Sequence, residues 1–292
     1  MPNHDVNDPE TYSLTHEQLE KVLSTIDIPV CPEFVVQAMT EAQKDEPDIA
    51  RLAALIAADP GMTAAALKLA NSAMYRAGNP VVSVRHAVER LGISIVVCVL
   101  VAAALRSSVT GLPAAWMDHF WRRTTQLAVI SALIARRQFG ISPDAAYTYA
   151  LFHDAAIPMM MKRFKEYGQV MQDARSSGQK RVDAESSYFP CTHPVIGSLM
   201  VRNWGLPPIL GLAIRFHHEP DIYELPDATL PGGALSFIAI TQIAEHLSAD
   251  VLGEADIDVG AGLFEKALAF LGISDGELDD LRQRVVLALN EV

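Results

Sequence analysis

The chain has 292 residues, enough for one large domain or two lobes with a sizeable buried core. Half of them are hydrophobic and 20% are charged, which excludes an intrinsically disordered chain. The net charge of −12 sets it against phosphate backbones, so nucleic acid is not an expected partner. The first ten residues are polar and acidic, unlike a secretory signal, and the longest apolar run, 93–105, is too short to span a bilayer. Cys31, Cys98 and Cys191 are widely spaced and form no CxxC pair, so reduced thiols, a cytoplasmic location and no membrane association are expected.

Apolar residues recur at spacings of three and four, which predicts helices along nearly the whole chain. Thr15 and Gln18 form a capping box for a first helix ending near Leu23. Pro29 and Pro32 bracket a connection, and Pro32 suits the first turn of a helix carrying Phe34, Val35, Ala38 and Met39. Asp48 opens an alanine-rich helix over 49–58, stopped by Asp59-Pro60-Gly61, and the next helix runs over 62–75 to a break at Gly78-Asn79-Pro80. These two helices have the cadence of a helix-turn-helix. The second one, however, offers Met62, Thr63, Ala64 and Ala65 where a DNA reader needs Arg, Asn or Gln, so bundle packing is the better reading. Ser83 starts another helix, and beyond Gly92 the run 93–105 reads as a buried core helix holding Cys98.

Residues 111–113 mark a lobe boundary. A long helix over 114–139 follows, closed by Gly140, and Ser142-Pro143 caps a helix leading into Leu151-Phe152-His153-Asp154. The stretch 162–190 is more polar, with Ser176, Ser177 and Gly178 read as an exposed loop. Met159-Met160-Met161 reads as core packing rather than an adaptable interface. Helices resume over 194–203, 208–218, 234–249, 262–271 and 275–290. The last has Leu278, Leu281, Val285, Val286 and Leu289 on one face, which leaves docking on the second lobe and homodimerisation both open. The expected architecture is an all-α, two-lobed helical bundle. It comprises an N-terminal extension (1–19), a helical lobe (20–111), a second lobe (112–250) and C-terminal helices packing on that lobe (251–292).

Among nine histidines, His4, His16, His86 and His119 stand alone and read as surface or capping residues. The others gather in the second lobe: His153-Asp154, His193, His217-His218-Glu219 and Glu245-His246. Imidazole and carboxylate suit divalent transition ions, and an adjacent His-Asp pair on a helix diverges enough for one to ligate an ion while the carboxylate bridges to a second.

This order resembles the HD phosphohydrolase superfamily and, more closely, the HDOD family, the HD-related output domain of bacterial signalling proteins. In the first lobe Ile28-Pro29-Val30-Cys31-Pro32-Glu33, Ile56-Ala57-Ala58-Asp59-Pro60, Leu67-Lys68-Leu69-Ala70-Asn71-Ser72-Ala73-Met74-Tyr75 and Ser83-Val84-Arg85-His86-Ala87-Val88-Glu89-Arg90-Leu91-Gly92 carry the likeness. Phe120-Trp121-Arg122, Trp204-Gly205-Leu206-Pro207 and Phe216-His217-His218 continue it in the second lobe, over residues 20–250 in all. The resemblance implies an HD-like second lobe and a remnant or partial metal site of His153, Asp154, His193, His217, His218 and Glu245.

Three departures argue against catalysis. The family's first metal-binding His falls at Arg123, a guanidinium that cannot ligate a cation and would act as a pocket cation, pairing with Asp154 or Glu245. In active relatives His-Asp-x-Gly-Lys is common; here Ala156 and Ile157 replace the glycine and the lysine. Glu245 stands where an Asp is usual, a longer arm at a site where ligand distances are tight. The Gly-Tyr-Pro element of cyclic-dinucleotide phosphodiesterases is absent, since Pro220-Asp221-Ile222-Tyr223 follows the His-His-Glu. The expectation is a regulatory protein with no catalytic residue that binds a partner protein or a small ligand. A divalent transition metal at a partial site stays open as cofactor. The alternative is a metal-dependent phosphohydrolase acting on a nucleotide or cyclic dinucleotide.

Overall fold

The structure, a computed structural model, describes residues 24–72, 75–76, 78–252 and 262–291. The capping box at Thr15 and the helix through Leu23 lie outside them. The first lobe consists of α1 (Glu33–Ala42), α2 (Ile49–Ala57), α3 (Pro60–Asn71), α4 (Val84–Leu91) and α5 (Ile93–Ser108). The second runs α6 (Ala114–Ala135), α7 (Pro143–Phe152), α8 (Ile157–Arg163), α9 (Tyr167–Ser177), α10 (Arg181–Tyr188), α11 (His193–Asn203), α12 (Pro208–Phe216) and α13 (Gly232–Leu252). Two further helices, α14 (Leu263–Leu271) and α15 (Asp275–Glu291), pack on α13, and α15 also reaches α6. No strand occurs among the described residues, and the fold is an all-α two-lobed bundle.

Short polar side chains start several of these helices by accepting amides that have no partner in the first turn. Asp48 accepts from Ala50 and Arg51, Ser83 from His86, and Ser142 from Ala145 ahead of Pro143. Asp59-Pro60-Gly61 corrects the sequence reading. Instead of only stopping α2, Asp59 caps α3 by accepting from the Met62 amide, and Pro60 is already inside the helix. The same helix ends at Asn71, short of Tyr75. The Asn71 side chain donates to the Leu67 and Val81 carbonyls (3.0 and 2.8 Å) and accepts from the Val81 amide (2.7 Å), pinning the returning chain. Arg90 donates to the carbonyls of Ala70 and Asn79. Gly92, at φ 79°, makes the 117° bend from α4 into α5, a conformation that favours glycine.

The apolar run is buried on most of its length, from Ile95 to Leu105. No single helix among the described residues is long and apolar enough to cross a membrane; α4 and α5 meet that measure only together, across their bend. In the second lobe α6 ends at Ala135 rather than near Phe139. The stretch expected to loop at Ser176–Gly178 is the end of α9. Its serines bond back to carbonyls in the preceding turn, and Gly178 closes it in the left-handed region. Met159 and Met160 are buried in the core. Leu278, Leu281 and Val285 of α15 are also buried, but Val286, assigned to the same face, is 42% exposed. The chain ahead of α1 meets the second lobe, where the Trp204 indole donates to the Pro29 carbonyl at 2.8 Å and Arg163 to that of Thr25 at 2.5 Å.

Candidate metal centre

His153 and Asp154 do not sit within a helix, as the sequence suggested. Helix α7 ends at Phe152, His153 is its C-cap, and Asp154 belongs to the tight turn that leads into α8. That turn brings Asp154 against two other helix ends. His193 is the first residue of α11, and His217-His218 follow the last residue of α12. Glu245 reaches in from the middle of α13.

Two residues of no chemical character make this convergence possible. Gly197 on α11 lies where a Cβ would stand 2.9 Å from Cγ2 of Ile214 on α12 and 3.9 Å from the His153 carbonyl, so the three site-bearing elements meet over a bare backbone. Ala156, fully buried, lies 3.9 Å from the same point.

The side chains form two groups sharing Asp154: Asp154, His193, His217 and His218, and His153, Asp154 and Glu245. Asp154 Oδ1 is 3.2 Å from His193 Nε2 and 3.6 Å from His217 Nε2, while the Nε2 atoms of His193 and His218 are 3.1 Å apart. Four ligands each about 2.1 Å from one ion stand about 3.0 to 3.4 Å apart on an octahedron or tetrahedron. The observed spacings are of that order. On the other side His153 Nε2 lies 3.5 Å from Asp154 Oδ2 and 3.3 Å from Glu245 Oε1.

Three of the four imidazoles have Nδ1 already engaged. His153 Nδ1 bonds to the Ala150 carbonyl and His217 Nδ1 to that of Ile214, both at 2.7 Å, which fixes their tautomers and turns Nε2 inward. His193 Nδ1 donates at 2.7 Å to Glu185, a carboxylate that is fully buried, also accepts the His193 amide, and takes a 2.5 Å hydrogen bond from the Tyr167 hydroxyl. A carboxylate behind a ligating imidazole is the arrangement that raises its basicity and fixes its ring. Asp154 Oδ1 and His217 Nε2 are buried and make no hydrogen bond; His193 is near enough to Asp154 Oδ1 but is not aligned for one. Buried polar atoms are rarely left so. The donor set fits a divalent transition ion.

The electrostatics agree. Burial opposes charge on His153 and His193, but Asp154 with Glu245 for the first, and Glu185 with Asp154 for the second, push both up to about 9. Burial lowers His217 and holds His218 well below the usual range, with neighbouring imidazoles adding to the effect on both. Burial alone would raise Asp154, yet His153 and His193 keep it well below the usual carboxylate range. Protons thus occupy the positive positions among these acids.

His86, His119, His246 and Glu219 stand outside both groups. His86 and His119 are exposed. His246 stacks on Phe264 with ring centroids 3.7 Å apart, and Glu219 pairs with Arg215. Arg123 is half-buried on α6, the helix that packs along α13. Ile157 is buried at the start of α8. Glu185 and Tyr167 went unnoticed in the sequence, where a Glu eight residues before a His in a polar stretch carries no mark.

A bundle whose helix ends gather a His-Asp turn, three further imidazoles and a later carboxylate defines a protein of the HD type. The chain belongs to the HDOD family: the family's model, the HDOD domain, matches residues 28–220. Solved structures share the fold. An HDOD domain protein of unknown function from Geobacter sulfurreducens is 23% identical, with 97% of this chain and 99% of that one covered and a TM-score of 0.69. A candidate phosphohydrolase from Shewanella amazonensis is 21% identical over 94% and 97%, also with a TM-score of 0.69. A candidate signal-transduction protein from Marinobacter aquaeolei is 18% identical, over 97% of this chain and 67% of its own, with a TM-score of 0.71. No curated protein matches the chain.

Proposed function

We propose that the chain is a non-catalytic signalling module that holds one divalent transition ion at Asp154, His193, His217 and His218 and acts by binding a partner protein or a small ligand. The observation that carries the metal is the pair of unbonded buried atoms, Asp154 Oδ1 and His217 Nε2, with the Nδ1 atoms of His193 and His217 already anchored. Bound there, an ion would supply the charge that a proton on His193 otherwise provides, and it would tie the turn after α7 to α11 and α12. The case against turnover rests on two residues. Arg123 replaces the family's first histidine with a fixed cation, and Ile157 puts a buried apolar side chain where relatives carry a phosphate-facing lysine.

A second reading, a metal-dependent phosphohydrolase, draws on the other group, where His153, Asp154 and Glu245 would hold a second ion beside the first. One experiment separates them. After growth with Mn, Fe and Zn, the purified protein should carry about one equivalent of metal and leave bis(p-nitrophenyl) phosphate unhydrolysed. The Arg123→His variant should be equally inactive. Metal below about a tenth of an equivalent removes the metal centre; turnover by the natural protein establishes the hydrolase, and turnover by Arg123→His alone would show that Arg123 by itself blocks catalysis.

A further inference from the structure

Between the lobes lies a cleft of about 810 Å³, walled by α3 and α5 on one side and by α6 and α7 on the other. We propose that it binds a small amphipathic organic anion, a compound with an apolar body and a single acidic head. The proposal goes beyond the metal reading and does not depend on it.

The volume falls within the range of small-molecule sites. Its walls are apolar, with Phe34, Met62, Leu69, Val99 and Val129 among them. Two polar groups interrupt them. Trp121 is 5% exposed, and its indole Nε1–H is buried without a partner. Tyr147 is 3% exposed, and its hydroxyl forms no hydrogen bond among the described residues. Burial pushes its phenol up, so the hydroxyl keeps its proton. Both groups line the cleft, and both offer a proton to an acceptor that the protein does not supply.

The charge of the lining selects the sign. Lys68, Arg106 and Arg122 line the cleft together with Asp59 and Asp118. Asp118 is held by Arg106, and Asp59 caps α3 through the Met62 amide, so both carboxylates are engaged within the protein. Arg122 is exposed and makes no ion pair among the described residues. In a chain of net charge −12 this local positive excess stands out. An anionic head meets Arg122 while the body lies against the apolar walls. An occupant would touch α6, which carries Arg123, and α7, which His153 caps, so it adjoins both helices that lead to the histidines.

The test titrates the full-length protein with 1-anilinonaphthalene-8-sulfonate, an anion with an aromatic body, and follows its fluorescence. One saturable site per chain is expected, displaced by decanoate and not by decanol at the same concentration. Ala65→Trp fills the cleft from an exposed position and should raise the dissociation constant at least about tenfold. Arg122→Glu should raise it about threefold or more, and Trp121→Phe by a similar factor. Removing metal with a chelator should leave the affinity unchanged. Non-saturable binding, or affinity untouched by Ala65→Trp, overturns the site. Equal competition by decanol overturns the anionic head, and loss of binding with the metal merges the cleft with the histidine cluster and overturns its independence.

Discussion

The two lobes use their signature residues in opposite ways. In the first, Asn71, Ser72 and Arg90 at the Leu-Ala-Asn-Ser segment are bonded within the fold, although Tyr75 just beyond it keeps a buried hydroxyl without a hydrogen-bond partner. Asn71 bonds on both sides of its amide, Ser72 donates to the Leu69 carbonyl, and Arg90 takes up the carbonyls of Ala70 and Asn79. In the second, Asp154 and His217 keep buried atoms without partners, while His193 is held from behind by Glu185. A motif whose polar atoms are all bonded within the fold is a structural device. One that leaves them unbonded in the interior is waiting for something else.

Four measurements can break or sharpen that contrast. The largest expected effect is on Asn71→Ala, which strands the amide and carbonyl of the buried Val81. Unfolding free energy should drop by about 3 kcal/mol in a denaturant titration, with metal affinity unchanged. A change in metal affinity would blur the division between the lobes. Glu185→Gln keeps the shape but loses the charge behind His193, and by calorimetry metal should bind about 10- to 100-fold more weakly. If only stability fell, Glu185 would be no more than another satisfied buried group.

Gly197→Ala inserts a methyl against Ile214, at a cost of about 1–2 kcal/mol, and it spreads α11 from α12. Thermal melts with and without metal should show a larger loss with metal present. The smallest effect concerns pH. The pKa values of His153 and His193 are raised to about 9 in the folded chain, against about 6.5 when unfolded. Their contribution is complete below the unfolded value and fades as pH rises through 9. The melting temperature of metal-free protein should therefore slip by a few degrees between pH 7 and 9. Metal-loaded protein, with the His193 proton displaced, should show a shallower slope; the same slope in both would deny that metal and that proton compete.

What the sequence made legible follows from where each property resides. His153, Asp154, His193, His217, His218 and Glu245 carry chemistry in their own side chains and follow the family's order, so they could be picked out before any fold was known. Glu185 could not, because its role comes from complete burial beside a histidine on another helix. Gly197 was equally silent, since its significance is the 2.9 Å left for a methyl that is not there. Helix starts were read well where Asp or Ser caps them. Helix ends were read less well, because α3 stops when Asn71 captures Val81, a residue ten positions on that no local spacing reveals. The apolar face of α15 was overdrawn by Val286, which is exposed where Leu278, Leu281 and Val285 are buried.

The bond from Trp204 to the Pro29 carbonyl has a mechanical side. Trp204 terminates the helix that His193 begins, and Pro29 lies a few residues ahead of α1. The chain therefore forms a belt: out of the first lobe through α5 and α6, and back onto itself where the indole buckles it. A pull on the segment around Pro29 is delivered to the far end of α11, and a lever of eleven residues carries it to the imidazole at the other end.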